Sequence, residues 1–167
     1  VLGGLRPVQR CADLESLRRD PDPPLPRDAA AVEAVQDHLA RAGALCHAGR
    51  YVEAQAATRA ARVSLGGIAY PPVRTELLNR EANVMGALGD YQASANRYTN
   101  LLEYAVRRRD WDAMAYALLG TLYIVGAPLA RPQEVLDSAG LMLAVSSGGH
   151  RLLADAQNSL AAVLHQH

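Results

Sequence analysis

Asn79 and Asn83 stand four residues apart, and Glu76 and Arg80 occupy the same run, so a helix there carries two amides, a guanidinium and a carboxylate close together. Carboxamides on one helical face can donate to and accept from the backbone of an extended peptide, and Arg80 can add a contact to a carboxylate. Tyr116 and Tyr123 repeat the arrangement in aromatic form, seven residues apart with Gly120 between them. Their rings could flank a ligand or pack against the next unit, and aromatic residues at helical spacing more often pack. The corresponding positions elsewhere are Leu39, Gly43 and His47 earlier in the chain and Asp155 and Asn158 near its end. The plain alternative for the polar members of this set is a solvated helix face.

No arrangement points to catalysis. Cys46 and His47 are neighbours, but adjacent helical residues point about 100° apart, which is wrong for a thiol–imidazole pair. His165 and His167 lack the spacing of helical metal ligands and read as a frayed terminus or part of a tag. Ser-His-Asp sets, carboxylate pairs and metal-ligand spacings are missing, and Cys11 and Cys46 make no disulfide framework. The expectation is a chain that is not an enzyme and takes no metal or cofactor. Seventeen basic and seventeen acidic residues are mixed throughout, giving a formal charge of zero, which argues against nucleic acid or a membrane surface as partner. Arg107, Arg108 and Arg109 are explained by a helix C-terminus, where positive charge complements the dipole. Apolar runs fall well short of the roughly twenty residues of a membrane span. Together with the cysteine usage, this predicts a cytoplasmic setting. The chain begins at Val1 rather than Met and stops within a helical pattern, so it reads as a piece of a larger protein.

The elements that would position these residues follow a period. Gly49-Arg50-Tyr51-Val52-Glu53-Ala54 recurs forty positions later as Gly89-Asp90-Tyr91-Gln92-Ala93-Ser94, each between two helical runs. Helices are predicted over 29–48, 51–65, 71–88, 91–108, 111–125, 132–145 and from 150 to the end, with a short one over 11–19. Asp28, Asp90 and Asp110 are expected N-caps, and Pro71-Pro72 suits a first helical turn. Gly49, Gly66-Gly67 and Gly89 are the stops. Residues 1–27 form a leading segment whose Asp20-Pro21-Asp22-Pro23-Pro24-Leu25-Pro26 forbids helix and reads as an extended connector. Residues 28–167 form the array, divided as 28–67, 71–109, 110–148 and a half unit 150–167. Its apolar side chains are Ala, Leu and Val with no Phe and one Trp, a composition suited to closely packed helices.

The residues around the turns resemble the tetratricopeptide repeat. They are Ala42 and Ala82 at the helix crossings (Leu119-Gly120 and Leu160-Ala161 later), Gly49 and Gly89 at the turns, Tyr51 and Tyr91 just after, and Ala54, Ala61, Ser94 and Ala95 in the second helices. Small residues let the backbones approach, and a ring after the turn would fill the gap between units. The spacing of forty exceeds the usual period of about thirty-four, which leaves a HEAT-type helical pair as runner-up. The resemblance implies an all-α right-handed superhelix of antiparallel helix pairs, about three and a half repeats after a short N-terminal helix, binding a protein or peptide in a groove lined by the first helix of each pair. Leu5 to Leu17 and Gly126 to Leu136 also resemble segments of the repeat region of myxobacterial-type serine/threonine protein kinases. That likeness implies a catalytic domain elsewhere in the parent, since a Gly-rich loop, His-Arg-Asp and Asp-Phe-Gly are missing here.

Two functions follow as expectations. The first is a non-catalytic interaction module whose groove is formed by Glu76, Asn79, Arg80, Asn83, Tyr116, Tyr123 and Asn158. The second is a helical sensor domain of a transcriptional or signalling regulator, closed around a small molecule or signal peptide. A final half unit with Leu153, Leu160, Val163 and Leu164 on one stripe predicts self-association or a covering segment.

Overall fold

A computed structural model describes residues 22–126, 128–131, 133–135 and 140. Five helices account for most of them: α1 (Ala29–His47), α2 (Tyr51–Leu65), α3 (Pro71–Ala87), α4 (Tyr91–Arg108) and α5 (Trp111–Gly126). No strand occurs among the described residues. The helices anticipated over 11–19 and from 150 onward, and most of that over 132–145, lie outside the described residues, as do Leu160-Ala161 and the apolar stripe of the half unit.

Local chemistry sets the ends. Gly49 and Gly89 adopt φ of +73° and +82°, and the next amide in each case reaches back to close the helix: Arg50 N–H donates to Leu45 O at 2.9 Å and Asp90 N–H to Met85 O at 3.0 Å. A left-handed residue followed by such a bond satisfies two orphan carbonyls of the last turn, and glycine enters that conformation without steric cost. The same closure ends α4 without glycine. Arg109 takes φ +56° and Asp110 N–H donates to Ala105 O at 3.0 Å. The Gly-x-Tyr joint therefore has a third copy, Arg109-Asp110-Trp111, that glycine spacing does not reveal.

Asp90 and Asp110 cap α4 and α5, accepting from Ala93 N–H at 3.1 Å and Ala113 N–H at 3.0 Å. Asp28 does not cap α1, contrary to expectation. Its backbone is already near helical, and its carboxylate lies 3.8 Å from the Arg27 guanidinium. Pro71 and Pro72 occupy the first turn of α3 as expected.

The packing pattern is nearly one-dimensional. α1 packs on α2, α3 on α4 and α4 on α5, while the first helices α1, α3 and α5 touch in series and α2 also reaches α3. α1 makes no contact with α4 or α5, and α2 makes none with α4. One core patch joins Val32, Val35, Leu39, Ala61, Leu65, Val73 and Leu77, and another joins α4 and α5 through Leu101, Leu118, Leu122 and Val125. Each such aliphatic side chain contributes roughly 1.5–3 kcal/mol when fully buried.

Small residues sit at the crossings. Ala42, Ala54, Ala61, Ala82, Ser94 and Ala95 are buried, and Ser94 Oγ donates to Ala82 O at 2.8 Å. Across the seam between the two hairpins, buried Glu81 of α3 takes both arms of the Arg62 guanidinium from α2, one at 2.7 Å. Arg97 of α4 stands 3.7 Å from the same carboxylate. The carboxylate partner holds the Arg62 guanidinium above its ordinary pKa. Tyr51 and Tyr91 fill less of the gap between units than expected, at 38% and 37% exposed.

Candidate ligand-binding face

On α3, Glu76 and Asn83 are exposed and Asn79 and Arg80 half-buried, in line along the helix. Asn83 Nδ2 donates to the Asn79 backbone oxygen at 2.8 Å and to Asn79 Oδ1 at 3.2 Å. Its own Oδ1 accepts from the Tyr98 hydroxyl at 3.0 Å. Asn83 is thus committed to internal partners. Asn79 has its carbonyl end occupied by Asn83, and its Nδ2 donates to no group among the described residues.

Tyr98 was legible from sequence only as one apolar position in the stripe of α4. The structure gives it a second role. Its ring reaches from α4 between α3 and α5, where a Cβ on Gly120 would overlap it. The absence of a side chain at Gly120 is what lets the ring through. Burial pushes the Tyr98 phenol up to about 12. The hydroxyl is therefore a donor at neutral pH, as its bond to Asn83 requires. The signal for this contact was a glycine inside an otherwise unbroken helical pattern, which marks close approach.

Tyr116 and Tyr123 stand four residues before and three after Gly120, on its face of α5. They are 52% and 66% exposed, and the next unit, against which they were expected to pack, lies outside the described residues. From Ala113 to Gly126 the helix has no charged residue. Asn158 and Asp155 lie outside the described residues.

The first unit contributes less than the spacing suggested. Leu39 is fully buried in the core, because its stripe is used to hold α2 and α3. Gly43 is covered by the Arg80 guanidinium, whose atoms would lie 3.2 Å from a Cβ there. Arg80 Nε is buried without a hydrogen-bond partner, and the Glu76 carboxylate stands 3.8 Å from its other end. The His47 ring nitrogen Nδ1 pairs with Gly43 O at 2.8 Å. Cys46, half-buried beside this contact, has its thiol pushed up by burial, with Arg80 opposing the shift. A thiol held in its neutral form is a poor nucleophile.

A depression of about 250 Å³ lies elsewhere, lined by His38, Arg41, Glu53 and the alanines Ala56, Ala57 and Ala60 of α1 and α2. Arg50 grips Glu53 there and holds its carboxyl below the usual range. Among the described residues no group of His, Cys, Asp and Glu is placed to hold a metal ion. Nor is any of their helices long and apolar enough to cross a membrane. Comparison of the chain with family models, with curated proteins and with solved structures finds no match.

Proposed function

We propose that this chain is a non-catalytic peptide-binding module of tetratricopeptide type, its helix pairs continuing as a right-handed superhelix. The observation that carries this reading is the bonded row Asn79–Asn83–Tyr98, which joins α3 to α4, ends against α5 and leaves Asn79 Nδ2 without a partner among the described residues. Side chains fixed by one another lose little freedom on binding, so their hydrogen bonds to a peptide backbone cost less entropy. Serial contact of the first helices supports the array, since it forms a continuous face from α1 through α3 to α5.

In its parent the module serves as the regulatory or scaffolding region of a bacterial serine/threonine protein kinase in the cytoplasm. That context rests on the two stretches, 5–17 and 126–136, that resemble such proteins. The alternative, a sensor closed around a small molecule, calls for an enclosed pocket at Tyr116 and Tyr123, and the exposure of both rings weighs against it.

The test is selection of peptides from a random display library against the chain, followed by affinity measurement on Asn79→Ala plus Asn83→Ala. A drop of about tenfold or more is expected, the size of a lost hot-spot contact. Unchanged affinity of the selected peptides would sink the groove assignment.

A further inference from the structure

The depression between α1 and α2 is lined by His38 and Arg41 of α1 and by Glu53, Ala56, Ala57 and Ala60 of α2. No residue of α3 lines it, so it is separate from the row Asn79–Asn83–Tyr98. Its space of about 250 Å³ falls below the range of drug-sized pockets and suits a single ring or a short branched chain. The apolar part of the lining is three alanines of α2, and longer side chains at those positions would fill the space. The charges around it are unequal. Glu53 is engaged by Arg50, whose Nε donates to Oε1 at 2.6 Å and whose Nη2 donates to Oε2. Arg41 has no hydrogen bond or ion pair among the described residues, and neither has the His38 ring. Two guanidiniums against one carboxylate leave a net positive charge beside an apolar wall.

We propose that this depression binds a small organic acid, with Arg41 taking the carboxylate and the alanine wall taking its apolar body. An unpaired guanidinium presents parallel N–H donors that match the two oxygens of a planar carboxylate. The His38 ring adds a donor, because a neutral imidazole carries one N–H in either tautomer. The charge selects as well. A carboxylate brings the single negative charge that the lining lacks, whereas a phosphate dianion brings more than one guanidinium offsets. A cationic occupant would meet Arg41 as a like charge, with Glu53 already engaged by Arg50. The lining comes from both helices of the first hairpin, so an occupant ties α1 to α2 and stabilises the folded chain. This claim stands apart from the peptide-binding reading, since the two sites share no residue.

The experiment follows the backbone amide NMR signals of the whole chain during titration with benzoate, isovalerate and phenylacetate, each beside its neutral amide. At least one of the acids should shift the signals of residues 38–41 and 53–60 saturably, and its neutral amide should bind about tenfold or more weakly. Arg41→Gln should weaken the acid by a similar factor. Ala60→Leu fills the depression with a residue of nearly equal helix propensity and should abolish binding while signals elsewhere stay in place. Arg108→Gln, which removes a cation from α4, should change nothing. Silence of those signals with all three acids overturns the proposal. So does binding that survives Arg41→Gln or Ala60→Leu, since the occupant would then lie elsewhere. Equal binding of the neutral amide, or of inorganic phosphate, overturns it too, because the charge of a carboxylate would not be what the site reads.

Discussion

The two joints between first helices use the same device with opposite fillings. At α1–α3 the gap left by Gly43 holds the Arg80 guanidinium, the tip of a flexible chain on the facing helix. At α3–α5 the gap left by Gly120 holds the Tyr98 ring, a rigid body coming from the second layer and tied to Asn83. A flexible polar plug can move aside, whereas a ring that is 5% exposed and packed between α3 and α5 cannot. The difference teaches that an internal glycine in such an array signals close approach without saying how strict it is. Strictness depends on what fills the gap.

Four measurements break or sharpen that contrast. Tyr98→Ala removes the plug and should cost the most, about 3–5 kcal/mol in urea unfolding, comparable to other buried aromatic truncations. Gly120→Ala forces a methyl into the ring and should cost about 1–3 kcal/mol. In a double-mutant cycle its cost should shrink when Tyr98 is shortened to Leu, and strict additivity would show that the two do not compete for the same space.

The third is a pH effect. The Tyr98 phenol is raised to about 12 in the fold and titrates near 10 when unfolded, so the native state holds its proton more tightly. The resulting stability is complete below pH of about 10 and is lost as pH rises toward 12, by about 2 kcal/mol relative to Tyr98→Phe. Parallel stability curves for the two proteins above pH 10 would contradict the burial of that phenol. The smallest effect is expected at the other joint. Gly43→Ala gains about 1 kcal/mol of helix propensity and displaces only a guanidinium, so it should be neutral or slightly stabilising. A loss as large as that of Gly120→Ala would erase the distinction between the joints.

Much of the fold was legible because its signals are local. Gly49 and Gly89 each announce a left-handed turn within a few residues, and apolar residues at helical spacing such as Val32, Val35 and Leu39 announce a buried face. Local signals also misled. Asp28 has the right residue type for a cap but not the extended backbone that aims its carboxylate at the first amides. Arg109 closes α4 in a conformation normally given to glycine, and its residue type conceals it. At the candidate face, Asn79 and Asn83 were visible as a pair, but not that one is consumed in orienting the other.

The amino-acid sequence by itself determined where the helices run, where they turn and which stripe of each is apolar, because those properties depend on residues within about a turn of one another. Tertiary structure alone decided that Leu39 belongs to the core and not the groove, and that Tyr98 crosses two helices to meet Asn83 and Gly120. It also decided that Tyr116 and Tyr123 remain exposed. The reason is physical: exposure and hydrogen-bond pairing depend on residues tens of positions away, and helical spacing says which side chains share a face but not what stands opposite it.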